Sequence, residues 1–156
     1  MTKTDKVIKN LYKKERKRIG HFMAFPDKVY EHKNFKTLSP TAKMVLFELN
    51  HRWTIGNNGQ IVAGIKSLAK ACDMCVKATH KAIKTLENRG FIIKTKAGLY
   101  TTKEASEYLL TYRGKVKFGD NIEVLDLWKY WDQSKDFTDE DERNEVLENI
   151  KKGVLR

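Results

Sequence analysis

Two short apolar stripes sit close together in this chain, each with the i, i+3, i+4, i+7 spacing of a helix face. Ile65, Leu68, Ala69 and Cys72 form the first; Thr79, Ala82, Ile83 and Leu86 form the second. Only a short break at Asp73-Met74 lies between them, too tight a turn to separate the two helices. Gly64 opens the first helix. Gly90 follows the second where a C-terminal glycine usually stands. The spacing therefore predicts a helix-turn-helix unit whose second helix runs from about Cys75 to Arg89.

The flanking sequence builds a domain around this unit. Ser39-Pro40 reads as an N-cap followed by proline at the first helical position. Ala42, Val45, Leu46, Leu49 and Trp53 then share one face, which predicts a helix over Pro40–Trp53. Upstream, Phe22, Phe25, Val29, Tyr30 and Phe35 are available for burial, with a short helix over Asp27–His32. Asn57-Asn58-Gly59 signals a turn, and Gln60–Ala63 leans towards strand. After Gly90, Phe91-Ile92-Ile93 reads as a strand, Lys94–Lys103 as a loop and Ser106–Tyr112 as a second strand, with Tyr108, Leu110 and Tyr112 on one face. The expectation is a mostly α fold with a small β-hairpin wing and helical extensions at both ends. Residues 1–20 are a basic arm or helix, 21–118 the domain, and 119–156 an acidic, helical extension.

The stretch Leu68–Ile92, LAKACDMCVKATHKAIKTLENRGFI, resembles the winged helix-turn-helix proteins of bacteria and their mobile elements. Ser39-Pro40-x-Ala42, Asn57-Asn58-Gly59 and Ala105-Ser106-Glu107-Tyr108 resemble features of a subgroup of short winged-helix proteins. That subgroup is similar to plasmid and phage replication initiators as well as to transcription regulators. The resemblance covers residues 22–113 and implies double-stranded DNA binding. Three positions depart from it. Asp73 stands where glycine is common, although Asp tolerates the left-handed conformation. Cys75 replaces a Ser/Thr N-cap with a weaker acceptor. Thr79 replaces Val or Ile, so its hydroxyl must bond back to the helix.

Charge is distributed in keeping with a polyanion partner. The chain of 156 residues carries a net charge of +11, yet residues 1–118 hold 25 Lys/Arg against 9 Asp/Glu and residues 119–156 hold 6 against 11. If Thr79, Ala82, Ile83 and Leu86 face the core, a 100° step per residue puts Val76, Lys77, His80, Lys81, Lys84 and Asn88 on the outer face. Lys77 and Lys81 suit guanine N7 and O6, His80 donates or accepts, and Val76 suits a thymine methyl. Lys84 lies further along, nearer phosphate. Lys94, Lys96 and Lys103 on the wing are candidate phosphate or minor-groove contacts, and Lys13, Lys14, Arg16, Lys17 and Arg18 on the N-terminal arm candidate backbone contacts.

Other chemistries find less support. Cys72 and Cys75 form one C-x-x-C pair, too few ligands for zinc and no disulfide framework; redox control through a thiol at a helix start stays open beside a plain structural role. His21, His32, His51 and His80 lack ligand spacing. No phosphate-cradling glycine loop, nucleophile elbow or carboxylate pair occurs in the core. The chain reads as a non-enzyme with no cofactor or metal and no membrane span or secretory signal, working in the cytoplasm. Its expected role is transcriptional regulation; the alternatives are plasmid or phage replication control, and a winged-helix adaptor that binds protein instead of DNA. Ile122, Leu125, Trp128 and Trp131 suit packing on the domain or a homodimer contact equally. The acidic tail is suited to shielding the basic body or meeting a protein partner.

Overall fold

The computed structural model describes residues 3–19, 23–99, 103–113 and 126–129. Among them the chain is mostly helical, with six α-helices and a small three-stranded antiparallel sheet. In order these are α1 (Lys3–Ile19), α2 (Asp27–Tyr30), α3 (Lys33–Lys36), α4 (Pro40–Arg52), β1 (Ile61–Val62), α5 (Ile65–Ala71), α6 (Val76–Asn88), β2 (Ile92–Lys96) and β3 (Glu107–Leu110), then a 3-10 turn at Leu127–Lys129. None of the described helices is long and apolar enough to cross a membrane.

Local chemistry sets the helix ends. Ser39 Oγ accepts from the Ala42 N–H at 3.2 Å, and Pro40 occupies the first helical position of α4, where its missing N–H costs nothing. The helix stops at Arg52, one residue before the expected end. Trp53 turns extended as the C-cap, and its ring packs half-buried against the core. The helix expected over Asp27–His32 is likewise shorter. His32 adopts an extended conformation and starts α3 instead, its Nδ1 accepting from the Asn34 N–H at 3.2 Å.

The α5–α6 connection forms as the sequence requires. Asp73 takes φ = 52°, the left-handed conformation that a short polar side chain tolerates. Cys75 caps α6 through its sulfur, which accepts from the Ala78 N–H at 3.4 Å. The Thr79 hydroxyl donates to the Cys75 carbonyl at 3.0 Å, so this polar group sits fully buried yet satisfied. Thr79, Ala82, Ile83 and Leu86 are all buried, and α6 packs on both α4 and α5. At its far end Gly90 has φ = 71°, with Gly90 N–H on the Glu87 carbonyl and Phe91 N–H on the Leu86 carbonyl, both at 3.0 Å. These are the paired bonds of a Schellman cap.

The sheet has the order β1-β3-β2. Ile61 pairs with Tyr108, Ile92 with Leu110 and Ile93 with Leu109. Two boundaries differ from expectation by more than one residue. β2 continues to Lys96, so Lys94 and Lys96 belong to a strand and not to the loop; Thr95 bulges there and donates to the Gly59 carbonyl at 2.7 Å. β3 stops at Leu110, and Leu109 is buried along with Tyr108 and Leu110, so the sheet is covered on both faces at this point. Asn58 closes the edge between β1 and the end of β3. Its carboxamide donates to the Leu110 and Arg113 carbonyls at 3.1 and 2.7 Å and accepts from the Leu110 N–H at 2.8 Å.

The core gathers Val29 and Phe35 from α2–α3, Val45, Leu46 and Leu49 from α4, Leu68, Ile83 and Leu86 from α5–α6, and Phe91, Ile92 and Leu110 from the hairpin. Trp128 completes it. Only 1% exposed, its ring stacks on Phe91 (centroids 6.0 Å apart) and meets the edge of His32 at 4.8 Å. Asn34 Nδ2 donates to the Trp128 carbonyl at 2.7 Å. Of the two roles open to this residue, packing within its own chain is the one adopted. Ile122, Leu125, Trp131 and the acidic tail lie outside the described residues, so the expected helical C-terminal extension is represented by the 3-10 turn alone.

Candidate nucleic-acid interface

The surface of α6 opposite its buried stripe carries the residues expected there. Val76 is 44% exposed, and Lys77, His80, Lys81 and Lys84 are exposed as well. Asn88 is half-buried at the helix end. Among the described residues, Lys77, Lys81 and Lys84 enter no ion pair, and α6 has no acid in its first turn. Three uncompensated ammonium groups on one rigid helix face make a local positive field that attracts polyanions.

The β2–β3 hairpin behaves differently. Lys94 reaches Glu87 of α6 at 3.5 Å, where the Glu87 carboxylate is largely shielded from water. That pair ties the end of α6 to β2 and neutralises a lysine expected to meet phosphate. Lys96 lies 3.2 Å from Glu104 across the hairpin, both about half exposed. Lys103 is exposed at the far side of the loop with φ = 55°. The loop turns tightly beside Gly98, whose N–H donates to Ser106 Oγ at 3.0 Å. A Cβ at Gly98 would fall 2.7 Å from the Glu104 carbonyl oxygen.

On the N-terminal arm the helical alternative is the one found. α1 carries Lys13, Lys14 and Lys17 exposed to water, and Arg16 and Arg18 fall within the same helix. Sequence reasoning passed over Lys66 and Lys70, which stand exposed one helical turn apart on α5 and enter no ion pair among the described residues. Their i, i+4 spacing opposite Leu68 and Ala69 was the available signal. Arg52, by contrast, is consumed structurally: it pairs with Glu48 at 2.7 Å and donates to Ser67 Oγ at 3.1 Å.

The two cysteines are free thiols, Cys72 buried and Cys75 exposed. Burial, reinforced by the nearby Glu48 charge and opposed by Arg52, pushes the Cys72 thiol up from its ordinary range. It is therefore a poor nucleophile at neutral pH. The Cys75 sulfur is occupied as the cap of α6. Among the described residues no three His, Cys, Asp or Glu side chains group as metal ligands would. No model of a known protein family, no curated protein and no solved structure matches this chain.

Proposed function

We propose that this chain is a winged helix-turn-helix protein that binds double-stranded DNA, with α6 as the recognition helix and the β2–β3 hairpin as the wing. The element order α4-β1-α5-α6-β2-β3, with β1 paired to β3, supports the fold assignment. One observation carries the function: among the described residues Lys77, Lys81 and Lys84 enter no ion pair on the outer face of α6, while the hairpin lysines Lys94 and Lys96 are paired with acids. In this reading the first turns of α6 enter the major groove, where Lys77 and Lys81 meet base edges and Val76 a thymine methyl. Lys84, Lys103, Lys66, Lys70 and the lysines of α1 meet phosphates. The role served is transcriptional regulation.

Anisotropy of a labelled random-sequence duplex, titrated at several salt concentrations, tests the reading. Binding that falls steeply with salt is expected; six to ten phosphate contacts lose roughly 10³–10⁵ in affinity between 50 and 200 mM salt. No binding at low salt and tens of micromolar protein would sink it and leave a protein-binding adaptor. Mapping of bound genomic sites to origin repeats instead of promoters would reassign the role to replication control.

A further inference from the structure

Helix α1 displays an apolar stripe with nothing described against it. Val7, Ile8, Leu11 and Tyr12 are 58, 46, 61 and 69% exposed, and their spacing puts them on one face. An open hollow flanks this face, lined by Ile8 and Tyr12 of the stripe together with Asp5, Lys9 and Lys13. Residues 3–18 hold eight Lys/Arg against Asp5 and Glu15. A phosphate backbone satisfies those lysines but leaves the stripe in water. A second α1 covers the stripe but brings like charge against like. An acidic amphipathic segment satisfies both.

The chain carries such a segment. Residues 132–148 hold eight Asp/Glu against Lys135 and Arg143, the mirror image of the α1 balance. Val146, Leu147 and Ile150 recur at i, i+1 and i+4, the same spacing as Val7, Ile8 and Leu11. We propose that the acidic segment 132–150 docks along the apolar stripe of α1 in the same chain, apolar residues on the stripe and carboxylates against the flanking lysines. Attachment to one chain gives the two partners an effective concentration on the order of millimolar, which favours the intramolecular pairing over a second copy. Docking itself stands apart from the DNA reading; the consequence that the docked segment competes with phosphate for Lys13, Lys14 and Lys17 rests on it.

Zero-length carbodiimide crosslinking of the full chain at micromolar concentration, mapped by mass spectrometry, tests the docking. Amide links between α1 lysines and the carboxylates of residues 139–148 are expected in the monomer fraction. Their yield should fall at least about tenfold in the double variant Ile8→Asp/Leu11→Asp, which removes two apolar anchors. Since every described side chain of α1 is exposed, this variant retains its core, and an unchanged near-UV circular dichroism spectrum confirms that. Links confined to a dimer fraction, links indifferent to the variant, or no links at all would each overturn the proposal. No nucleic acid enters the experiment, so a chain that fails to bind DNA leaves its outcome intact.

Discussion

The carboxamide of Asn58 faces three backbone groups at once, donating to the Leu110 and Arg113 carbonyls and accepting from the Leu110 N–H, with no exposure to water. Asn58→Ala strands these buried groups, each costing about 1–3 kcal/mol when left unsatisfied. A loss of about 3 kcal/mol in urea unfolding is expected. A loss below about 1 kcal/mol would mean that water replaces the amide. Glu87 offers the opposite kind of test. Its carboxylate holds Lys94 at 3.5 Å, so Glu87→Gln frees that ammonium beside α6. Duplex affinity at low salt should rise, and the slope of log affinity against log salt should steepen by up to about 0.9, the contribution of one added phosphate contact. An unchanged slope would place Lys94 outside the footprint.

Among the elements, α6 was the most legible from sequence, because its fold and its chemistry are written locally. The stripe Thr79, Ala82, Ile83 and Leu86, the left-handed Asp73 and the back-bonded Thr79 hydroxyl all follow from neighbours within one or two helical turns. The same helix yields a prediction about its start. The Cys75 sulfur is a long, weak acceptor at 3.4 Å, whereas a serine hydroxyl is among the preferred caps. Cys75→Ser should stabilise the protein by about 0.5–1 kcal/mol, read as a raised Tm; a lower Tm would show that the sulfur contributes packing that a hydroxyl cannot. Elements shaped from afar were less legible. The run Lys94-Thr95-Lys96 is polar enough to read as loop, but pairing with β3 supplies its backbone bonds whatever its side chains. Asn58 read as a turn residue because the strand end that buries it lies 52 residues away in the chain. The Lys94–Glu87 pair was hidden for the same reason, since strand register decides which side chain meets the end of α6. Trp128 could not be assigned from its own surroundings either, as its partners Phe91, His32 and Asn34 come from two distant segments.

For the molecule as a whole, residues 126–129 act as a strap that ties the hairpin to α2 and α3. Asp126 anchors it: its backbone N–H donates to the Thr111 carbonyl at 2.9 Å, and its carboxylate meets Lys129, Lys28 and the Trp128 indole N–H. Burial alone pushes the Asp126 carboxyl up. The bonded Lys129, the Lys28 charge and the indole together outweigh burial and hold it below its ordinary value of 3.8. A depressed carboxyl contributes stability in full above its unfolded-state value and loses it as pH falls through the folded one. Acidification below about pH 4 should therefore release the strap and shift tryptophan emission to the red, and Asp126→Asn should abolish that step. A step of equal size in the variant would assign it elsewhere. The order in which the fold assembles follows from its sheet. The β2–β3 hairpin closes a short loop, but β1 can reach β3 only after α5 and α6 have folded back between them. Closing that longer loop carries the larger entropic cost. β1, a two-residue edge strand, should therefore pair after the hairpin forms and open before it, which faster hydrogen exchange at Ile61 and Val62 than in β2 and β3 would show. An opening of β1 would slacken the Gly64 end of α5 and leave α6 packed on α4 and β2, so the lysine-bearing helix would keep its seat while the strand beside it comes and goes.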